Sequence, residues 1–209
     1  MKPWVLYDYQ KSITYNKNTY DYDWRVITRD DEKTIYVFTQ YSTTTLDWIV
    51  NFLFFYIPQV RRWFIYFACM GWQTAFNCCK GLIMNKVLYE MNEHPNYEVV
   101  CCGHSYGGAG SVLAGIEIFF QTGVRPTLIT FGSPKPLFLL WSKIVSKMFF
   151  KEVKQYAHRS DLITYLAPFF GYWNVRVIRI GKFSLKGLFN PNEYHTCYGD
   201  ESLYEGVEI

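Results

Sequence analysis

The stretch from residue 97 to residue 121 constrains this chain more than any other. A short apolar run, Tyr97 to Cys102, leads into Gly103-His104-Ser105-Tyr106-Gly107, and Gly108, Ala109 and Gly110 follow before bulkier residues take over. The run reads as a buried strand and residues 106–121 as a helix, with Gly123 placed to cap it. The Gly-x-Ser-x-Gly spacing fits a sharp strand-to-helix turn with a serine at its tip. Glycine is needed two residues to either side because side chains there would strike the neighbouring backbone. A serine in that turn directs its hydroxyl out of the sheet at a helix N-terminus, where N–H groups and the positive helix end favour a developing oxyanion. Small residues in the first turns let the helix lie close to the sheet.

The rest of the chain extends the same pattern. Residues 24–29 and 34–39 are β-branched and aromatic around the polar Asp30-Asp31-Glu32, which predicts a hairpin. Residues 73–92 carry apolar positions at helical spacing, and Pro95 stops any continuation. Strands are predicted at Thr127–Phe131, 152–157 and 175–180, with a helix over 137–149. Strands alternating with helices predict an α/β fold with a mostly parallel central sheet and helices on both faces. The early hairpin adds antiparallel pairing at one edge. At 209 residues with no repeat or linker, residues 1–209 are expected to form one domain.

Composition narrows the function classes. A formal charge of +3 with scattered Lys and Arg excludes a nucleic-acid footprint. Lys143, Lys147 and Lys151 recur at helical spacing; a solvated helix face accounts for them, and weak attraction to an anionic membrane is the alternative. The six cysteines match neither zinc-ligand nor thioredoxin spacing, and Cys101 and Cys102 read as small buried hydrophobes. The first residues show no secretory h-region, so reduced thiols and an intracellular setting are expected. The most apolar stretch, Trp48 to Trp72, is broken by Asn51, Pro58, Gln59, Arg61 and Arg62 and does not span a bilayer. Aromatics make up 20% of the chain, enough to leave some aromatic surface for an apolar ligand or peripheral contact with a membrane. Nothing in the sequence specifies an oligomeric state.

A serine hydroxyl is a weak nucleophile until a base takes its proton, and that base is usually a histidine oriented by an acid. Two histidines follow Ser105, namely His158 and His195. Glu117 falls inside the helix after the turn, Glu152 opens a strand, and Glu193 is too near His195 to come from a separate loop. Asp161 follows the strand 152–157 after a short turn, where the carboxyl edge of a parallel sheet would place it. Ser105, Asp161 and His195 are therefore the expected triad, with His158 the second candidate base. His94, in a polar loop, and His104, inside the turn, are read as structural. Such a triad needs no metal or organic cofactor.

Four segments resemble the class 3 lipases, the fungal-lipase-like branch of the α/β-hydrolases. GHSYGGAGSVLAG resembles the family's GHSLGGA-type elbow, and TFGSP at 130–134 its strand ending in FGSPR or FGxPR. HRSDLITYLAP at 158–168 is similar to the segment that carries the acid, and Tyr194-His195 stands where the family's base is expected. The resemblance implies a serine ester hydrolase acting on lipid esters, in the manner of an acylglycerol lipase. Phospholipase A and short-chain esterase activity would use the same site; a noncatalytic lipid- or membrane-binding protein keeping the fold is the alternative of another class. It further implies oxyanion donors at Tyr106 and Ser42, with Thr43 in reserve. Thr39-Gln40-Tyr41 precedes Ser42 where the family has Phe-Arg-Gly, a clear departure. It also implies a lid at 47–67, with Trp48, Phe52, Phe54 and Phe55 as lid or substrate contacts and a route to peripheral membrane contact. A buried helix is the plainer reading of that segment.

Overall fold

Paired β-branched and aromatic residues build the edge from which the sheet grows. In the computed structural model, which describes residues 1–17, 22–41, 56–61, 64–165, 172–173 and 177–207, β1 (Tyr22–Arg29) and β2 (Thr34–Tyr41) run antiparallel with Val26 opposite Val37. β2 then pairs in parallel with β5 (Glu98–His104), β5 with β6 (Thr127–Phe131), β6 with β8 (Glu152–His158), and β8 with β10 (Val177–Ile180). The strand order among the described residues is β1-β2-β5-β6-β8-β10. This is the mostly parallel α/β sheet expected, with its antiparallel hairpin at one edge.

Two-residue alternation divides the core between the two faces. Ile35, Val37, Val99 and Cys101 point to one side, where α2 (Met70–Glu93) and α3 (Tyr106–Thr122) cover them. Tyr36, Phe38, Val100 and Cys102 point to the other, where Leu6 and Tyr7 of α1 (Pro3–Ser12) pack with Tyr198 and Tyr204. Sequence reading did not anticipate α1. Its signal is Pro3 at the first helical turn, where the missing N–H costs nothing.

A second, smaller sheet accompanies the first, and it goes against the plainer, helical alternative for the end of residues 47–67. β3 (Tyr56–Arg61) and β4 (Phe64–Cys69) pair antiparallel, so residues 56–61 and 64–69 are strands and not part of a buried helix. Pro58 opposes a helix, and β4 alternates buried Phe64 and Tyr66 with exposed Ile65. Ala68 of β4 pairs with Leu137 of β7 (Leu137–Phe138), which pairs in turn with β9 (Tyr172–Trp173). The helix predicted from 137 accordingly starts at Leu139, as α4 (Leu139–Phe149). The front of the expected lid, residues 47–55, lies outside the described residues. A short helix, α5 (Pro191–His195), follows the sheet.

Glycine is indispensable where α3 meets the strands. A Cβ on Gly107 would lie 2.1 Å from the Thr39 carbonyl oxygen, and one on Gly103 2.4 Å from the Gly107 carbonyl oxygen. Both obstacles are backbone and cannot swing away. Gly81, on the exposed side of α2, has nothing within 4 Å of the same position. Gly107→Ala is therefore expected to destabilise the fold by on the order of 3 kcal/mol. Gly81→Ala should stabilise it by about 0.5–1 kcal/mol through helix propensity. Urea denaturation of the two variants checks the pair; equal shifts would remove the packing argument.

Candidate active site

Ser105 sits between β5 and α3 with φ 56° and ψ −129°, a conformation that L-residues other than glycine rarely adopt. Its backbone N–H donates to the Phe131 carbonyl at 2.9 Å, and its own carbonyl accepts from the Gly108 N–H at 2.9 Å. These bonds fix the turn from both sides and tie it to the end of β6. Gly132 follows Phe131 with φ 57°, and its α-carbon faces the other two expected residues directly. A Cβ there would stand 2.9 Å from Asp161 Oδ2 and 3.0 Å from His195 Nδ1. The carboxyl ends of β5, β6 and β8 thus gather the Ser105 backbone, Asp161 and His195 around Gly132.

Asp161 and His195 are 34 residues apart and in direct contact. His195 Nδ1 lies 2.9 Å from Asp161 Oδ2, with the carboxylate fully buried and the histidine 9% exposed. Facing a carboxylate, Nδ1 carries the proton and donates it, so Nε2 is the basic nitrogen of the neutral ring. Asp161 Oδ2 also accepts from the Tyr198 hydroxyl at 2.5 Å, and Oδ1 accepts from the Ile163 N–H at 3.0 Å. Burial and the neighbouring carboxylate push the Tyr198 phenol well above its ordinary range, which keeps it a donor. Tyr198 also accepts from the His158 N–H at 3.1 Å, so one phenol links the acid to the end of β8.

The remaining histidines have separate partners. His158 is buried, its Nδ1 accepts from the Ser160 N–H at 3.1 Å, and burial lowers its basicity. Its link to Asp161 runs through the backbone, the His158 carbonyl accepting from the Asp161 N–H at 3.0 Å. His94 caps α2 and stacks on Tyr97, with ring centroids 4.7 Å apart. His104 has a more specific task. Its Nε2 lies 2.7 Å from the His195 carbonyl oxygen, an atom that only accepts, so Nε2 carries the proton and donates. The two rings stand 4.6 Å apart, and the Tyr7 ring meets His104 edge-on. Burial, and then the nearby His195, pull the His104 pKa down to about 3, so the ring stays neutral.

Among the expected oxyanion donors, Tyr106 opens α3 and is buried, with its ring 5.9 Å from that of Trp72. Ser42, Thr43, Trp48, Phe52, Phe54 and Phe55 lie outside the described residues. Sequence reasoning missed Tyr198 altogether. Its signal was weak: a tyrosine three residues past the base, recognisable only once burial forces its hydroxyl to find a partner. No cluster of three His, Cys, Asp or Glu side chains suited to a metal occurs among the described residues.

A strand, a strained serine turn, a helix packed through glycines and an Asp–His pair at the strand ends define an α/β-hydrolase. The chain belongs to the class 3 lipase family, which matches residues 36–171. A lipase from Rhizomucor miehei is 27% identical over 108 residues, covering 51% of this chain and 29% of that relative. In fold, the chain resembles the triacylglyceride lipase of Rhizomucor miehei (TM-score 0.71, 22% identity, 81% of this chain and 66% of that one). It also resembles lipase II from Rhizopus niveus (TM-score 0.72, 20% identity, 80% and 64%). The chain thus spans less than a third of the sequence relative's length, and just under two thirds of either solved lipase.

His104 gives the site a pH signature. Its folded pKa is depressed to about 3, against about 6.5 in an unfolded chain. The unfolded state therefore binds the extra proton between those values. The stability tied to neutral His104 is complete above pH 6.5 and is lost as pH falls toward 3, at up to about 1.4 kcal/mol per pH unit. His104→Gln keeps an N–H donor without a titrating ring and should flatten that window. Denaturation titrations between pH 4 and 7 test this; parallel curves for the two proteins would contradict it.

Proposed function

We propose that this chain is a serine carboxylic-ester hydrolase acting on lipid esters, of the acylglycerol-lipase type, working through Ser105, His195 and Asp161. The observation that carries the reading is the buried His195–Asp161 hydrogen bond of 2.9 Å, beside a serine held at φ 56° at the tip of the turn. Family membership and the triacylglyceride lipase among its structural neighbours support the same substrate class.

In this scheme the Ser105 oxygen bonds to the ester carbonyl carbon as His195 Nε2 takes the hydroxyl proton. Asp161 holds the ring in the required tautomer and stabilises the imidazolium. The oxyanion is met by the Tyr106 backbone amide and by Ser42. Collapse of the tetrahedral intermediate breaks the bond to the alcohol, which leaves with the proton from His195. Water then adds to the acyl-enzyme with the same proton traffic in reverse and frees the acid. No metal or cofactor enters the scheme.

The reading takes residues 1–209 as one domain, in which residues 47–67 cover the site and Trp48, Phe52, Phe54 and Phe55 meet the acyl chain. The β3–β4 pair supports this by seating the end of that segment, through Phe64 and Tyr66, in the core shared with α3. The reading also places the chain inside the cell, supported by the free, buried thiols of Cys79, Cys101 and Cys102.

A serine-reactive fluorophosphonate is expected to label the chain at Ser105. Ser105→Ala should abolish labelling and lower ester turnover by at least about 10³-fold while leaving the melting temperature close to wild type. A nitrophenyl-ester series of increasing chain length then separates a lipase, with medium or long chains preferred, from a short-chain esterase. A protein that is folded yet inert to the label would support lipid binding without catalysis.

A further inference from the structure

Among the described residues, the three most exposed large apolar side chains are Phe189 (88%), Phe183 (66%) and Leu185 (65%). All three fall within seven residues, in the segment Gly181-Lys182-Phe183-Ser184-Leu185-Lys186-Gly187-Leu188-Phe189-Asn190. A soluble surface scatters such side chains; three together, each more than half in water, mark a contact surface.

The segment is firmly seated. The Ser184 N–H donates to Ser160 Oγ at 2.7 Å, and the Ser184 hydroxyl caps the turn Leu185–Leu188 by accepting from the Lys186 N–H. Gly187 lies so close to Ser160 that a Cβ would come within 2.6 Å of its carbonyl oxygen. Ser160 immediately precedes Asp161, and α5, which ends on His195, packs against the turn Leu185–Leu188. The apolar ridge is therefore fixed to the end of the molecule where acid and base meet.

Charge identifies what the ridge fits. Lys182, just before Phe183, and Lys186, between Leu185 and Phe189, are exposed and have no carboxylate partner among the described residues; positions 181–190 contain no acid, and the next one, Glu193, accepts from the Asn190 side chain at 2.7 Å. Apolar and aromatic side chains interleaved with lysines match an interface with hydrocarbon below and anionic headgroups above. We propose that residues 182–189 form a docking surface for an anionic lipid surface, with Phe183, Leu185 and Phe189 entering the acyl region and Lys182 and Lys186 lying among the phosphates. In sequence the segment is distinct from residues 47–67. It turns the strand ends of β5, β6 and β8 toward the lipid, and it deepens the ester-hydrolase reading by naming the phase in which substrate is met.

Co-sedimentation with ether-lipid vesicles tests this, because such lipids contain no ester to cleave. Phosphatidylcholine vesicles with added phosphatidylglycerol should bind the full chain, and phosphatidylcholine alone should bind it more weakly. Replacing Phe183 and Phe189 together by Ser should weaken binding by more than about tenfold. The pair Lys182→Gln and Lys186→Gln should cost about fivefold per lysine at an anionic surface, with the loss vanishing at high salt. Both variants should keep the wild-type melting temperature, since the replaced groups face solvent. Failure of the wild type to bind, or equal binding by the serine variant, would overturn the proposal. So would a dimer that dissociates on the serine replacement with vesicle binding unchanged. Binding by a chain that hydrolyses no ester would instead sink the hydrolase reading and leave this surface standing.

Discussion

The close approach of α3 to β2 and β5 governs the working end of this molecule. The Thr39 hydroxyl bridges the two layers, 2.5 Å from the Gly107 carbonyl oxygen and 2.7 Å from Ser111 Oγ. That spacing admits no Cβ at Gly103 or Gly107, and it leaves Ser105 no relaxed backbone conformation. Strain at one residue costs on the order of 1–3 kcal/mol and persists only where the surroundings over-determine it. Here the bonds from Ser105 to Phe131 and Gly108 and the glycine-lined helix face do so together. The same packing continues along α3, where Gly110 lies against the Tyr22 ring and Gly115 against Phe150.

How legible all this was depends on how local the cause is. The elbow, the edge hairpin and the parallel strands follow from patterns within ten residues, and each lies within a residue or two of where periodicity puts it. Asp161 and His195 were reached by asking which acid falls at a strand end, a question that topology answers. The β3–β4 pair was less legible because a dense aromatic run hides two-residue alternation, leaving Pro58 as the main sign against a helix. Neither α1 nor Tyr198 carries a local signature. Both matter through partners nearly the whole chain or tens of residues away: Tyr7 reaches Thr196, and Tyr198 reaches Asp161.

His104 shows how a residue can be structural and still bear on chemistry. A neutral imidazole aimed at the carbonyl of His195 fixes the backbone of the second histidine without competing for Asp161. Were it charged, it would stand ring to ring with a group that gains a proton during the proposed reaction. Burial prevents that. The acid is treated differently: three donors surround it, so its neighbours and not water set its orientation. Losing one partner of such a buried pair generally costs about 3–5 kcal/mol, because the charge left behind has no solvent to turn to.

The hydrogen bond from the Tyr7 hydroxyl to the Thr196 carbonyl, 3.1 Å long, has a consequence for how the chain divides. Trp4 packs on Tyr204, and Gly199 lies against the Asp8 carboxylate, so the first dozen residues and the last fifteen described ones are stitched together. The family-matched stretch, 36–171, contains Ser105 and Asp161 but neither His195 nor this seam. Cut out alone, it would keep the acid and lose both the base and the clasp that holds the base in register. The base of the proposed site thus meets its acid only where the first and last described residues are joined over the sheet.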